Sequence, residues 1–152
     1  MNILAYSKCM AVVIPVAGGK GGVGKSVISL NLSAAMAAQY KHVILCDLDF
    51  GGANLHTMLG LKNNQTGLGH FINKLETNMN NLVQATGVPN FHFIAGDCLF
   101  PGTANMDFFT KQKIIREIVK LECDYLILDL GAGSAHNQVD FFIMTNNGLL
   151  VV

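Results

Sequence analysis

Apolar residues fall along this chain in short runs separated by amphipathic stretches, and the two patterns alternate. Met10 to Ala17 (MAVVIPVA) is β-branched and apolar on both faces, the pattern of a central parallel strand. Gly18 to Gly24 suits neither helix nor strand and reads as a tight loop. Lys25 to Gln39 turns helical, with Ile28, Leu32, Ala35 and Met36 on one predicted stripe and alanines favouring helix throughout. Val43 to Cys46 is a second buried strand, ending in Asp47-Leu48-Asp49 and the pair Gly51-Gly52. Between residues 54 and 90 the pattern predicts short helical pieces at Leu55–Leu59, Leu68–Leu75 and Leu82–Ala85, broken by Asn- and Gly-containing turns. Phe91 to Ala95 alternates as a strand does, and Gly96-Asp97 marks its exit from the sheet. Pro101 and Gly102 signal a loop. Asp107 can cap a helix running to about Leu121, with a stripe of Phe108, Ile114, Ile115, Ile118 and Val119. Tyr125 to Leu130 is a further strand, followed by Gly131-Ala132-Gly133. A last helical piece precedes an apolar strand at Leu149–Val152.

Strands alternating with helices predict an α/β fold, a doubly wound and mainly parallel sheet with helices on both faces. Residues 10–152 read as one domain and residues 1–9 as a lead-in. An apolar strand at the very end invites pairing or needs covering, so the domain is expected to be the N-terminal part of a longer one, truncated at its C-terminus.

Composition narrows the function. The 152 residues, a single-domain length, carry ten basic and ten acidic side chains and a net charge of zero. That argues against direct nucleic-acid binding, which draws on a basic face. With 51% hydrophobic and 13% charged residues, disorder is excluded. Cys9, Cys46, Cys98 and Cys123 are far apart and form no C-x-x-C pair, the pattern of buried reduced thiols. The run Met10–Ala17 is far short of the roughly 20 residues of a membrane span. Soluble, cytoplasmic character with no membrane helix in this chain is expected. His42, His56, His70, His92 and His136 form no H-E-x-x-H or close pair, and Met58, Met79, Met106 and Met144 read as core filler.

The chemistry starts at Gly19-Lys20-Gly21-Gly22-Val23-Gly24-Lys25-Ser26, which fits G-x-x-x-x-G-K-[ST] between a buried strand and a helix. Glycines let successive backbone N–H groups turn inward on phosphate oxygens, and the helix N-terminus adds partial positive charge. Lys25 reaches the β- and γ-phosphates, and the Ser26 hydroxyl is a hard-oxygen ligand for Mg²⁺. Lys20 is unnecessary for this cradle. With it the loop resembles the deviant Walker A box, KGGxGK[ST], of the MinD/ParA superfamily of ATPases. The resemblance implies ATP as the nucleotide, and a lysine that crosses a dimer interface to the partner's nucleotide. Arg116, the single arginine, lies in a helix, so an arginine finger in cis is not expected and Lys20 is its natural substitute.

Two carboxylate loops follow in order. Asp47 and Asp49 stand at the carboxyl end of a strand, where doubly wound sheets present ligand-contacting groups. Cys46–Asn54, CDLDFGGAN, looks like the switch I segment of the flagellar-number ATPase branch, FlhG (FleN). That likeness implies that Asp49 positions the attacking water and that Asp47 helps shape the metal site; the alternative is that both only cap the following loop and helix. Leu126–Gly133, LILDLGAG, is apolar strand, aspartate and glycine. By resemblance Asp129 holds Mg²⁺ and Gly131 senses the γ-phosphate through its N–H.

The resemblance therefore implies a Mg²⁺-dependent ATPase that switches between monomer and ATP-bound homodimer, with a regulatory protein partner, to set the position or number of a cellular structure. A non-hydrolysing nucleotide-binding module is the alternative. An iron–sulfur carrier on the same fold is disfavoured, because Gly131–Asp140 contains no cysteine.

Overall fold

The computed structural model describes residues 11–50, 52–62, 66–96, 106–132 and 136–152, with side chains from 138 onward in the last segment. Cys9, Met10, Gly51, Asp97, Cys98, Pro101, Gly102 and Gly133, and the side chain of His136, lie outside the described residues. Six strands make one sheet: β1 (Val12–Ala17), β2 (Val43–Leu48), β3 (Gln84–Ala85), β4 (Phe91–Ile94), β5 (Tyr125–Leu130) and β6 (Leu149–Leu150). Their order is β3-β4-β2-β5-β1-β6. Every pairing is parallel except β3 with β4. The sheet is therefore mainly parallel, as the sequence predicts, and the carboxyl ends of β1, β2, β4 and β5 share one edge.

Alternation along the strands sorts the core into two faces. Ile44, Cys46, Leu48, Leu126, Leu128 and Leu130 pack with α4 (Phe108–Ile118) and Phe141 of α5 (His136–Ile143). Val43, Leu45, Phe91, Phe93 and Ile127 pack on the other face with Ala37 of α1 (Lys25–Ala38). By the same alternation Asp47 and Asp129, register partners across β2 and β5, project toward α1.

The predicted faces of two helices are corrected. The inward face of α1 keeps half of the predicted stripe, with Leu32 and Met36 partly buried against the core, but its fully buried positions beyond Lys25 are Ser29, Ser33 and Ala37, and Ile28 and Ala35 are exposed. Small side chains bring the helix close to the sheet, and the two hydroxyls donate to the carbonyls of Lys25 (3.0 Å) and Ser29 (2.7 Å), so neither is buried unpaired. On α4, Asp107 caps the helix by accepting the Thr110 N–H at 2.9 Å, but Phe108 is exposed and Lys111 takes the inward position. Lys111 can be buried there because its ammonium is paired with Asp140 of α5.

Between residues 54 and 90 the helices shorten to α2 (Leu55–Met58) and α3 (Leu68–Ile72). A left-handed Lys74 at φ +59° closes α3. The predicted helix at Leu82–Ala85 is instead a 3₁₀ turn, Met79–Leu82, leading into the antiparallel edge strand β3, whose Gln84 and Ala85 sit opposite Phe93 and His92. Pairing with β4 overrides a weak helical pattern. Met58 is exposed rather than core. His42 and His92 meet at 3.1 Å, Nε2 to Nδ1, because β2 and β4 run side by side; that proximity has no sequence-local signal.

Candidate functional site

The loop after β1 delivers Lys25 and Ser26 to the first turn of α1. Its two sharpest positions, Gly22 and Gly24, have φ of +77° and +96°, the left-handed region that glycine enters without steric cost. Gly24 occupies the N-cap position, so the loop runs directly into a helix N-terminus. Gly19, Lys20 and Gly21 are exposed, and Val23 is half-buried. Lys25 is only 7% exposed, and its ammonium reaches back to the Lys20 carbonyl at 3.5 Å. A buried ammonium with one long neutral partner is suited to receiving anionic oxygens.

Asp129, at the end of β5, is buried on the same face. Burial pushes its carboxyl above the ordinary carboxylate range. Hydrogen bonds from Ser26 and Ser29 and the Lys25 charge oppose that rise, while Asp49 adds to it. The single Ser29 hydroxyl proton is shared between the Lys25 carbonyl and Asp129 Oδ1, the latter at 2.8 Å. The donor set fits a hard divalent cation: a hydroxyl at position 26 hydrogen-bonded to a buried carboxylate whose ionised form gains from nearby positive charge.

Asp47 lies within β2, which extends two residues past the predicted end at Cys46. Its carboxyl is pushed up to about 7, chiefly by burial, with the Asp49 N–H opposing, Asp129 raising and the Leu55 N–H opposing. Oδ1 accepts the Asp49 N–H at 3.1 Å and Oδ2 the Leu55 N–H at 3.3 Å. Asp47 therefore braces the turn that carries Asp49 and the start of α2.

Asp49 joins the two carboxylate loops. A Cβ at Gly52 would come within 3.0 Å of Asp49 Oδ2, and a Cβ at Gly131 within 2.7 Å of Asp49 Oδ1. The carboxylate thus stands between the loop after β2 and the loop after β5, close against the glycine of each. The Gly131 Cβ would also fall 2.8 Å from Gln138 Nε2. Lys25, Ser26, Asp47, Asp49, Asp129 and Gly131 gather at the carboxyl edge of the sheet, while Lys20 extends from its loop into solvent.

Sequence reasoning missed Ser29 and Gln138. Ser29 was legible in principle: four residues after Lys25, it shares the inward helical face. Gln138 had no local signal, since only the packing of α5 brings it to Gly131.

The ParA family model, described as NUBPL iron-transfer P-loop NTPase, matches residues 10–152. The septum site-determining protein MinD of Helicobacter pylori is 31% identical over 148 residues, covering 94% of this chain and 53% of that protein. The antiactivator FleN of Pseudomonas aeruginosa is 50% identical, but over 54 residues, 36% of this chain and 19% of that protein. The chain thus spans about half the length of the MinD relative. Among solved structures, MinD of Pyrococcus horikoshii complexed with Mg-ADP superposes with a TM-score of 0.82 at 23% identity, covering 94% of this chain and 58% of that one. With a family match over nearly its whole length and this fold beneath it, the chain belongs to the ParA/MinD family of P-loop NTPases.

Proposed function

We propose that residues 10–152 form the nucleotide-binding part of a Mg²⁺-dependent ATPase that works as an ATP-switched homodimer. With a regulatory protein partner, it sets the position or number of a cellular structure. The observation that carries this reading is the meeting of the phosphate loop with both carboxylate loops at one edge of the sheet: Ser29 and Ser26 on Asp129, and Asp49 against Gly131. Gly19, Gly21, Gly22, Val23 and Gly24 offer backbone N–H groups to the phosphates, and Lys25 neutralises the β- and γ-oxygens. Ser26 and Asp129 hold the magnesium, which when bound neutralises charge building on those oxygens. Asp47 shapes that site from behind through its hold on the Asp49 and Leu55 amides. Asp49 orients the attacking water, Gly131 senses the γ-phosphate, and Lys20 reaches the nucleotide of the partner subunit. MinD of P. horikoshii, complexed with Mg-ADP, supports the choice of adenine nucleotide and metal.

The iron-transfer role in the family description needs thiolate ligands. Burial pushes the Cys46 thiol well above its ordinary range and the Cys123 thiol up to about 11, so neither described cysteine favours it.

Calorimetry of ATP binding tests the reading. Lys25→Ala removes a charged hydrogen-bond donor of roughly 1.5–3 kcal/mol, so ATP affinity should fall at least about tenfold. Undiminished affinity refutes the phosphate-loop assignment. Tight binding without turnover in the wild type instead identifies a non-hydrolysing switch module.

A further inference from the structure

Two serines are fully buried on the face that α1 turns to the sheet, Ser29 and Ser33. Each hydroxyl turns back to the carbonyl four residues earlier, that of Lys25 at 3.0 Å and that of Ser29 at 2.7 Å. Ser29 also reaches the sheet, with Oγ 2.8 Å from Asp129 Oδ1; among the described residues Ser33 makes no such contact. The Ser26 hydroxyl bonds the same carboxylate, so two successive turns of α1 hold Asp129. An ionised carboxylate is a stronger acceptor than a carbonyl for the one proton that Ser29 can give. The Lys25 carbonyl does not go unpaired when that proton turns away, because it lies in the helix and accepts the amide four residues on.

We propose that Ser29 is a positioning residue for the divalent-cation site, its hydroxyl fixing Oδ1 and with it the plane of the Asp129 carboxylate. The inference rests on the reading of Ser26 and Asp129 as the residues that hold Mg²⁺. Ser29 stands one turn further into α1 than Ser26 and is fully buried where Ser26 is half-buried, so it acts through Asp129 and not as a ligand. The terminal torsion of an aspartate is broad, and its carboxylate turns easily about that bond. A donor held on Oδ1 removes that freedom before a cation arrives. Hydrogen bonds one shell out orient metal ligands in this way. Taking the hydroxyl away strips a donor from a buried acceptor and frees the ligand to turn. The nucleotide itself is held by the loop at Gly19–Lys25, which the Ser29 side chain meets only at the Lys25 carbonyl. Cation affinity therefore depends on Ser29, and metal-free nucleotide affinity does not.

Mn²⁺ serves as the probe, titrated into the ADP-bound protein and followed by its paramagnetic resonance signal. Ser29→Ala should need about ten- to a hundredfold more Mn²⁺ for half-occupancy, with ADP affinity in chelator within about twofold of wild type. Ser29→Cys keeps nearly the same volume but donates only weakly, and should lose Mn²⁺ affinity in the same direction. Ser33→Ala removes a buried hydroxyl from the same helix face without touching Asp129, and should match wild type. Equal losses in Ser29→Ala and Ser33→Ala, or full affinity in Ser29→Cys, would assign the effect to helix packing and overturn the proposal. A fall in metal-free ADP affinity in Ser29→Ala would make Ser29 a structural support of the loop and overturn it too. Wild-type Mn²⁺ affinity in Ser29→Ala, beside its loss in Asp129→Asn, overturns this inference and leaves the metal-site reading standing. Mn²⁺ binding indifferent to Asp129→Asn overturns both.

Discussion

Asp47 and Asp49 are two residues apart and do different work because of which groups face them. Asp47, inside β2, has both oxygens committed to backbone amides, and its burial holds the carboxyl near neutrality. Asp49, just past the strand end, is half-buried, and its oxygens lie against Gly52 and Gly131. In the proposed function Asp49 touches the attacking water and contributes in the transition state, whereas Gly19–Ser26 hold the triphosphate. Asp49→Ala should therefore keep ATP affinity within a few-fold while slowing hydrolysis by about a hundredfold or more. Calorimetry beside single-turnover kinetics checks this; a parallel fall in affinity and rate would make Asp49 a metal or structural residue.

The elements carry the site by unlike means. A helix whose buried face is Ser29, Ser33 and Ala37 lies close enough to β5 for a helix hydroxyl to reach a strand carboxylate. On the opposite face, α4 and α5 are joined by Lys111 and Asp140, with the lysine side chain 6% exposed and the aspartate 34%. Removing one partner of such a pair leaves a buried charge uncompensated, whereas removing the charge itself does not. Asp140→Ala should destabilise the fold by about 2–4 kcal/mol, near the lower half of the range for buried pairs because its own carboxylate is partly in water. Lys111→Met should cost less than about 1 kcal/mol. Denaturant titration of both variants checks the ordering, and equal losses would show that the ion pair is not what joins the helices.

At the scale of the whole molecule the proposed ATP-switched dimer is what the oligomeric state tests. Lys20 is exposed on its loop, so as a monomer its charge stays in water at little cost. In a face-to-face pair that charge would meet the partner's phosphates. Sedimentation should show a shift toward dimer with ATP and Mg²⁺ but not with ADP, since in the proposed switch only the γ-phosphate would hold the loops at Asp49 and Gly131 in the pairing conformation. Lys20→Ala should bind nucleotide yet remain monomeric. A dimer indifferent to nucleotide and to this substitution would rule out the sandwich arrangement.

Much of this was written in the sequence. The order of strands and helices, the phosphate loop and the two aspartate loops are local features: hydrophobic period, glycine at fixed offsets, and a carboxylate after an apolar run. The Asp107 cap was legible for the same reason, being a contact over three residues. Where the sequence misled, long-range contacts outweighed local pattern. Counting apolar residues placed Leu32 and Met36 against the core but missed the centre of the α1 face, which Ser29 and Ser33 occupy while Ile28 is exposed. Leu82–Ala85 became turn and edge strand because β4 offered a partner. The sequence by itself determined which groups could hold phosphate, metal and water. Only the tertiary structure decided that Asp47 turns its oxygens to backbone amides, that Asp49 spans two loops, and that Gln138 joins it at Gly131. Those outcomes depend on strand register and helix docking, which bring together residues that no local spacing connects.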